Sequence, residues 1–277
     1  VVPSKKEQKA IAGVLSEMDA LIDSTGELLA KKQDIRDGMM DDLLTGKKRL
    51  PGFEGSGKTV VTDIGELPEG WKIVSIKGDV VLKARIGWQG LTTAEYLDFG
   101  YARLITGTDF KNGAIDWMNC RYVEKERFDQ DINIQIRPHD VLITKDGTIG
   151  KVAYVPEVDM PTTLNSGVFV IRPRKDGTYY PEYVYYVFRS DFFRTWLEML
   201  TAGSTIIHLY QKDLVNFSFK VPARIEEQKA IAGVLSEMDE EIGALKERLQ
   251  KYRQIRDGMM DDLLTGRRRL PGFGNGQ

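Results

Sequence analysis

Ile231, Leu235, Met238, Ile242, Leu245, Leu249 and Tyr252 recur along the chain at alternating steps of four and three. That spacing lines one face of a helix, and sustained over several turns it forms the seam of a coiled coil. Met259 and Leu263 extend it. A second stretch, near the start, carries Ile11, Leu15, Met18, Ile22 and Leu29, but Thr25 and Lys32 fall on its seam and Gly26 lies within it. It is the weaker seam. The two stretches are copies: EQKAIAGVLSEMD at 7–19 recurs at 227–239, IRDGMMDDLLTG at 35–46 recurs at 255–266, and LPGF follows each. A helix over about residues 7–44 is roughly 55 Å long, too long for a compact core and suited to a spacer. Such a pattern alone is shared with ordinary dimerising coiled coils.

Between the copies the period changes. WKIVSI, DVLITK, KVAYV, GVFVIRP and FSFKVP are short apolar and β-branched runs set between Gly, Pro, Asn and Asp, and they predict strands. Tyr179 to Leu200 predicts one or two helices with an aromatic face. The expected fold is α+β: one mixed α/β domain flanked by two long helices that form an antiparallel coiled coil. Antiparallel pairing follows if the globule joins the C-terminal end of the first helix to the N-terminal end of the second. Ile11, Leu15, Met18 and Ile22 then pair with the face of Ile231, Leu235, Met238, Ile242, Leu245 and Leu249. The expected boundaries are 1–50 for the first helix, 51–66 for a Gly/Ser linker, 67–222 for the globule, and 223–277 for the second helix and its tail.

With 277 residues, 42% of them hydrophobic, the chain can bury a real core. The net charge of -2 supplies no global field to draw it to a polyanion, so any nucleic-acid binding has to be local. One cysteine, Cys120, excludes an intrachain disulfide framework and a four-cysteine zinc site, and fits the cytoplasm. No apolar run reaches membrane-spanning length, so no membrane partner is expected. His139 and His208 are the only histidines, which leaves little material for a metal site or a proton shuttle. There is no Asn-Pro-Pro-aromatic stretch of the kind a DNA amino-methyltransferase uses, and no convincing metal-dependent nuclease signature. No catalytic residue, metal or cofactor is expected.

GFEGSGKT, Gly52 to Thr59, fits the phosphate-loop pattern G-x-x-x-x-G-K-[ST]. A phosphate loop needs a strand before it and a helix N-terminus after it. Here a helix end, a basic run and a proline precede the motif, and β-branched residues with Gly65, Pro68 and Gly70 follow it. The stretch reads as a flexible linker.

Three loops carry the better chemistry. Lys83 to Gly90 combines Lys83, Arg85, Trp88 and Gln89, and Arg and Gln can pair with guanine and adenine edges. Thr144 to Lys151 sets Lys145, Thr148 and Lys151 among two glycines, which suits a turn beside a phosphate chain. Ala202 to His208 carries Ser204, Thr205 and His208, with Lys212 just beyond. Arg103 and Thr106 complete the candidate DNA contacts. A polar surface loop and a tight hairpin with solvated lysines remain the plain readings of the first two.

In chain order these pieces resemble the specificity subunit of a type I restriction-modification enzyme. LPEGWKIVSI at 67–76 is similar to the opening of a target recognition domain, DVLITKDGTIGKVAYV at 140–155 to its central strand-loop-strand, and AGSTIIHLYQKDLVNFSFKVP at 202–222 to its close. EEQKAIAGVLSEMD and IRDGMMDDLLTGRRRL resemble the ends of the family's conserved helix. The resemblance implies a non-catalytic subunit that reads double-stranded DNA and spaces two half-sites with its helices. It docks methylation subunits, which bring cofactor and catalysis, and a restriction subunit, which brings ATP hydrolysis and cleavage. The family pattern has two recognition domains, whereas one is present here. Val1-Val2-Pro3 parallels Lys220-Val221-Pro222, so the expectation is a half-subunit or C-terminal portion, and two copies could pair as a homodimer. The rival reading is a coiled-coil interaction module whose central domain binds protein or carbohydrate.

Overall fold

The computed structural model describes residues 3–201 and 208–273, and of Trp88 and Thr201 the backbone only. Val1 and Val2, on which the parallel with residues 220–222 rests, lie outside the described residues. Two compact units emerge, residues 1–39 with 234–277, and residues 40–233.

The first unit is helical. It contains most of α1 (Lys5–Thr45) and of α7 (Ile225–Thr265). Ion pairs join the two helices in antiparallel order: Glu7 with Arg269, Asp19 with Arg256, Lys32 with Glu241, and Arg36 with Asp239. Ile11, Ile242, Leu245 and Leu249 are buried, while Leu15, Met18, Ile22 and Met238 are half-buried. The two polar interruptions of the first seam are accommodated by different means. Thr25 is buried and donates its hydroxyl to the Leu21 carbonyl at 2.7 Å, one turn back, so no polar atom is stranded. Lys32 reaches sideways to Glu241 at 2.7 Å.

The second unit is the α+β globule, with the last turn of α1 and the first turns of α7 attached. After α1, a hairpin of β1 (Thr59–Thr62) and β2 (Gly65–Pro68) leads into β3 (Trp71–Ser75), the single turn α2 (Ile76–Asp79) and β4 (Val80–Ala84). Then come β5 (Ala102–Ile105), the small hairpin of β6 (Phe110–Lys111) and β7 (Ala114–Ile115), β8 (Arg121–Val123) and α3 (Lys125–Asp129). β9 (Asp140–Thr144), β10 (Val152–Val155), β11 (Thr162–Leu164) and β12 (Val168–Pro173) follow. α4 (Pro181–Arg189), α5 (Asp191–Thr201), α6 (Gln211–Leu214) and β13 (Ser218–Pro222) complete the globule.

An antiparallel sheet in the order β10-β9-β12-β4 stands beside a sheet in the order β11-β5-β8, in which β11 and β5 run parallel. β13 closes the domain on β3, bringing Pro222 opposite Trp71. β9 is buried at every position because it lies between two strands with both faces covered, which suits the apolar centre Val141-Leu142-Ile143. Its Asp140 is the exception to that chemistry, and both its oxygens accept from Arg172, each at 2.6 Å. Between the sheets Ile105, Ile134, Leu142, Ala153, Leu164 and Val170 make one core. The aromatic segment splits into two helices at Ser190, whose backbone is extended and whose hydroxyl caps back onto the Val187 carbonyl at 2.7 Å. Phe188, Phe193, Trp196, Phe217 and Phe219 stack behind it at centroid distances of 4.8–6.1 Å.

The repeated sequence meets two environments. Gly46 and Gly266 both end their helices at φ +74, the left-handed conformation that glycine tolerates best. A Cβ on Gly46 would sit 2.5 Å from Pro68 and 3.3 Å from Trp71, whereas nothing lies within 4 Å of one on Gly266. Gly266→Ala should therefore lose only the backbone cost of about 1–2 kcal/mol. Gly46→Ala should lose roughly a further 1–3 kcal/mol from overpacking. Denaturant unfolding of the two variants measures the difference, and equal losses would contradict this packing.

Candidate nucleic-acid interface

Four turns that are far apart in sequence converge at one edge of the globule. The β9–β10 connection, Lys145 to Lys151, is flanked by the turn after β5 (Thr106 to Asp109), the turn between β11 and β12 (Asn165 to Gly167), and the stretch from His208 into α6. Backbone bonds fasten them together. Lys145 N–H donates to Gly167 O at 2.9 Å, Leu209 N–H donates to Lys145 O at 2.8 Å, and Asn165 N–H donates to Ile105 O at 2.9 Å. Asp146 and His208 form an isolated β-bridge, and the His208 Nδ1 lies against the Asp146 carboxylate. The packing is close, since a Cβ on Gly107 would touch the Thr144 methyl at 3.6 Å and one on Gly167 would touch Asp146 Oδ2 at 3.5 Å.

Within the β9–β10 loop the Thr144 hydroxyl donates to Thr148 O at 2.6 Å and accepts from Lys151 N–H at 2.9 Å, which closes the loop from inside. Gly147 and Gly150 take φ of +66 and +80, so the loop depends on both glycines. The Thr148 and Lys151 side chains are thereby left exposed. Lys145 is half-buried, its ammonium 5.5 Å from the Phe169 ring centre. Lys212 is exposed beside Tyr210 at 5.3 Å, and Tyr210 itself packs near His208. The loop is a hairpin with solvated cations, and it is also part of a larger cationic edge.

Lys83 is exposed on β4, and Gln211 reaches toward Leu82 O on the same strand at 3.5 Å. An open groove runs here, lined by Lys77, Lys83, Arg174 and Gln211. Lys77, within α2, and Arg174, just beyond β12, were not among the sequence candidates, and Arg174 also donates to Val80 O at 3.1 Å.

The structure places other candidates elsewhere. Arg85 is only 2% exposed, and its guanidinium donates to Leu164 O at 2.8 Å, Thr163 Oγ1 at 3.2 Å, Gln130 Oε1 at 3.2 Å and Arg127 O at 3.3 Å. Burial, then the neighbouring Arg127 charge, lowers its pKa from the usual arginine value. Its donors are engaged inside the domain, where they brace the loop. Gln89 is buried as well. Arg103 stands at the start of β5, paired with Asp159 and stacked 5.4 Å from Trp117, which neutralises it. The Thr106 hydroxyl is engaged with Asp109 at 2.9 Å and Thr108 at 2.7 Å. Ser204 and Thr205 lie outside the described residues, as does the Trp88 side chain.

The phosphate-loop pattern sits in the reverse of the required order, with a helix before it and β1 after it. Two of its polar groups are already engaged, Gly52 N–H with Glu54 at 2.8 Å and Ser56 with Glu69. Burial pushes the Cys120 thiol up to about 12, so it is not a nucleophile at neutral pH. Among the described residues no group of three or more His, Cys, Asp or Glu is placed to hold a metal ion, and no helix is long and apolar enough to cross a membrane.

The type I restriction modification DNA specificity domain matches residues 68–252. The type I restriction enzyme MjaVIII specificity subunit of Methanocaldococcus jannaschii is 25% identical over 277 residues, covering 97% of this chain and 62% of that protein. The EcoBI specificity subunit of Escherichia coli is 26% identical, covering 83% of this chain and 49% of its own length. The chain thus spans about three fifths or less of these relatives. The crystal structure of a type I restriction-modification S subunit from M. genitalium superposes with a TM-score of 0.59 at 16% identity, over 94% of this chain and 61% of that one. The HsdS subunit from Thermoanaerobacter tengcongensis gives 0.53 at 18% identity, over 93% and 58%. A domain match over well more than half of the chain, on a fold shared with these structures, makes this protein a member of the type I restriction-modification specificity subunit family.

Proposed function

We propose that the protein is the sequence-reading, non-catalytic part of a type I restriction-modification assembly, binding one half of a bipartite double-stranded DNA target. The carrying observation is the convergence of the β9–β10 loop with the 106–109, 165–167 and 208–212 segments, which presents Lys145, Lys151 and Lys212 together on a rigid edge. A chain of net charge -2 needs such local placement: the lysines hold phosphates while Thr148, His208 and their neighbours face base edges. The helices act as an antiparallel coiled-coil spacer on which methylation subunits dock, and the restriction subunit joins the complex they form. Catalysis, S-adenosylmethionine and ATP belong to those partners.

Full recognition of a split target calls for a second recognition domain, supplied by a longer chain or by another copy of this one. Support comes from identical residues in the two repeats. Met40 and Leu44 are 4% and 7% exposed in the globular unit, whereas their counterparts Met260 and Leu264 are 37% and 62% exposed in the helical unit. Gln228 is buried, donating to Pro222 O and accepting from Tyr180 N–H, each at 2.7 Å, while Gln8 is exposed. The uncovered repeat has the chemistry of a seat for a second globule.

The test is selection from random duplex DNA, using the chain with its methylation subunit. One enriched half-site, with binding that weakens steeply as salt rises, is expected. No enrichment and no salt dependence would favour a protein- or carbohydrate-binding module instead. Calorimetry on the isolated chain should show no stoichiometric uptake of ATP or S-adenosylmethionine.

A further inference from the structure

Each repeat opens on a glutamate in the first turn of its helix, Glu7 or Glu227, and closes on an arginine just past the helix end, Arg49 or Arg269. In the helical unit the Arg269 fork grips Glu7, with Nε to Oε1 at 2.8 Å and Nη2 to Oε2 at 2.6 Å. In the globular unit the Arg49 fork grips Glu227 in the same way, at 2.5 and 2.7 Å. Each glutamate therefore binds the arginine of the other copy. Both carboxylates are withdrawn from solvent, Glu7 at 2% exposure and Glu227 at 1%. The arginines are delivered by the same device. Gly46 or Gly266 turns the chain back, and the amides of Lys48 and Arg268 then close on the carbonyls of Asp42 and Asp262 at 3.1 Å.

The seam alone specifies register poorly. Ile, Leu and Met side chains are similar enough that a slip of one heptad, about 10 Å along the axis, still sets apolar on apolar. A planar bidentate pair has no such tolerance, because a slip strands a withdrawn carboxylate without its fork. We propose that Glu7–Arg269 and Glu227–Arg49 are the positioning pairs that set the register of α1 against α7 within one chain. Where the function proposed above holds, they also set the separation of the half-sites, and that consequence rests on that reading.

The register can be measured without DNA. Spin labels on cysteines replacing Asp19 and Arg256 in the full chain report the separation of the two helices, while Cys120 is buried and stays unlabelled. Glu7→Arg should broaden the distance distribution or lengthen it by several ångströms, because an axial slip of about 10 Å adds at right angles to the distance across the helix pair. Adding Arg269→Glu should restore the narrow original distribution, which lost stability alone would not predict. Glu7→Arg with Arg49→Glu keeps the same total charge but leaves both intrachain pairs mismatched, and should stay broad. An unchanged distribution in Glu7→Arg would overturn the proposal. So would recovery in the Glu7→Arg, Arg49→Glu variant, since that variant matches only helices paired with their own copies in a second chain. If the swap restores the distance but the DNA selection fails, the register role stands and the DNA reading falls.

Discussion

Arg85→Ala lowers the thermal unfolding midpoint by roughly 10 °C, while DNA binding at low temperature keeps its affinity and sequence preference. The guanidinium satisfies Leu164 O, Thr163 Oγ1, Gln130 Oε1 and Arg127 O in a nearly water-free site. Removing it takes the donor from the buried Leu164 and Thr163 acceptors at about 1–3 kcal/mol each before relaxation, while Gln130 Oε1 keeps its bond from Arg127 Nη1 at 2.9 Å. Relief of the unfavourable Arg85–Arg127 proximity gives back a part. A net loss of about 3–4 kcal/mol is a large share of a domain's stability and corresponds to a few degrees per kcal/mol. Arg85→Lys should recover little, because an ammonium cannot span four acceptors placed for a fork. Differential scanning calorimetry measures the first effect and a binding titration the second. An unshifted midpoint together with relaxed specificity would return Arg85 to the base-reading surface.

The combined variant Lys145→Ala, Lys151→Ala and Lys212→Ala weakens binding to duplex DNA of any sequence by on the order of 100-fold or more. It also makes the slope of log affinity against log salt shallower by about 3, one unit for each phosphate that is no longer neutralised. The fold should survive, since Lys151 and Lys212 are exposed and Lys145 contributes mainly its packing on Phe169. Arg103→Ala is the matched control. It removes a charge that Asp159 already neutralises, so the salt slope should hardly move. Equal slopes for the parent and the triple variant would move the interface away from the β9–β10 edge.

The first prediction departs from the role that spacing along the chain suggests for Arg85, and the second keeps the one it suggests for the lysines. In the sequence Arg85 is one of several polar residues on a glycine-flanked loop. What removes it from the surface is Arg127 and Gln130 on one side and Thr163 and Leu164 on the other, none of them near it in sequence. The β9–β10 loop was more legible, because its two glycines set between two strand-like runs already suggest a hairpin with exposed lysines. Its neighbours at 106–109 and 165–167 become visible only when β11 pairs in parallel with β5 and aligns the turns that follow them.

The sequence by itself determined the long helices, the strands β3, β9, β10, β12 and β13, and the unfitness of GFEGSGKT as a phosphate site. These follow from period, β-branching and the conformational range of glycine, all of which act within a few residues. The tertiary structure decided which charges are free and which are spent, and it did so even between identical stretches. Leu44 and Leu264 stand in the same local sequence, yet one is buried and the other open to solvent. Burial sums over neighbours brought from elsewhere in the chain, and Leu44 lines one cavity together with Val187, Phe192 and Phe219.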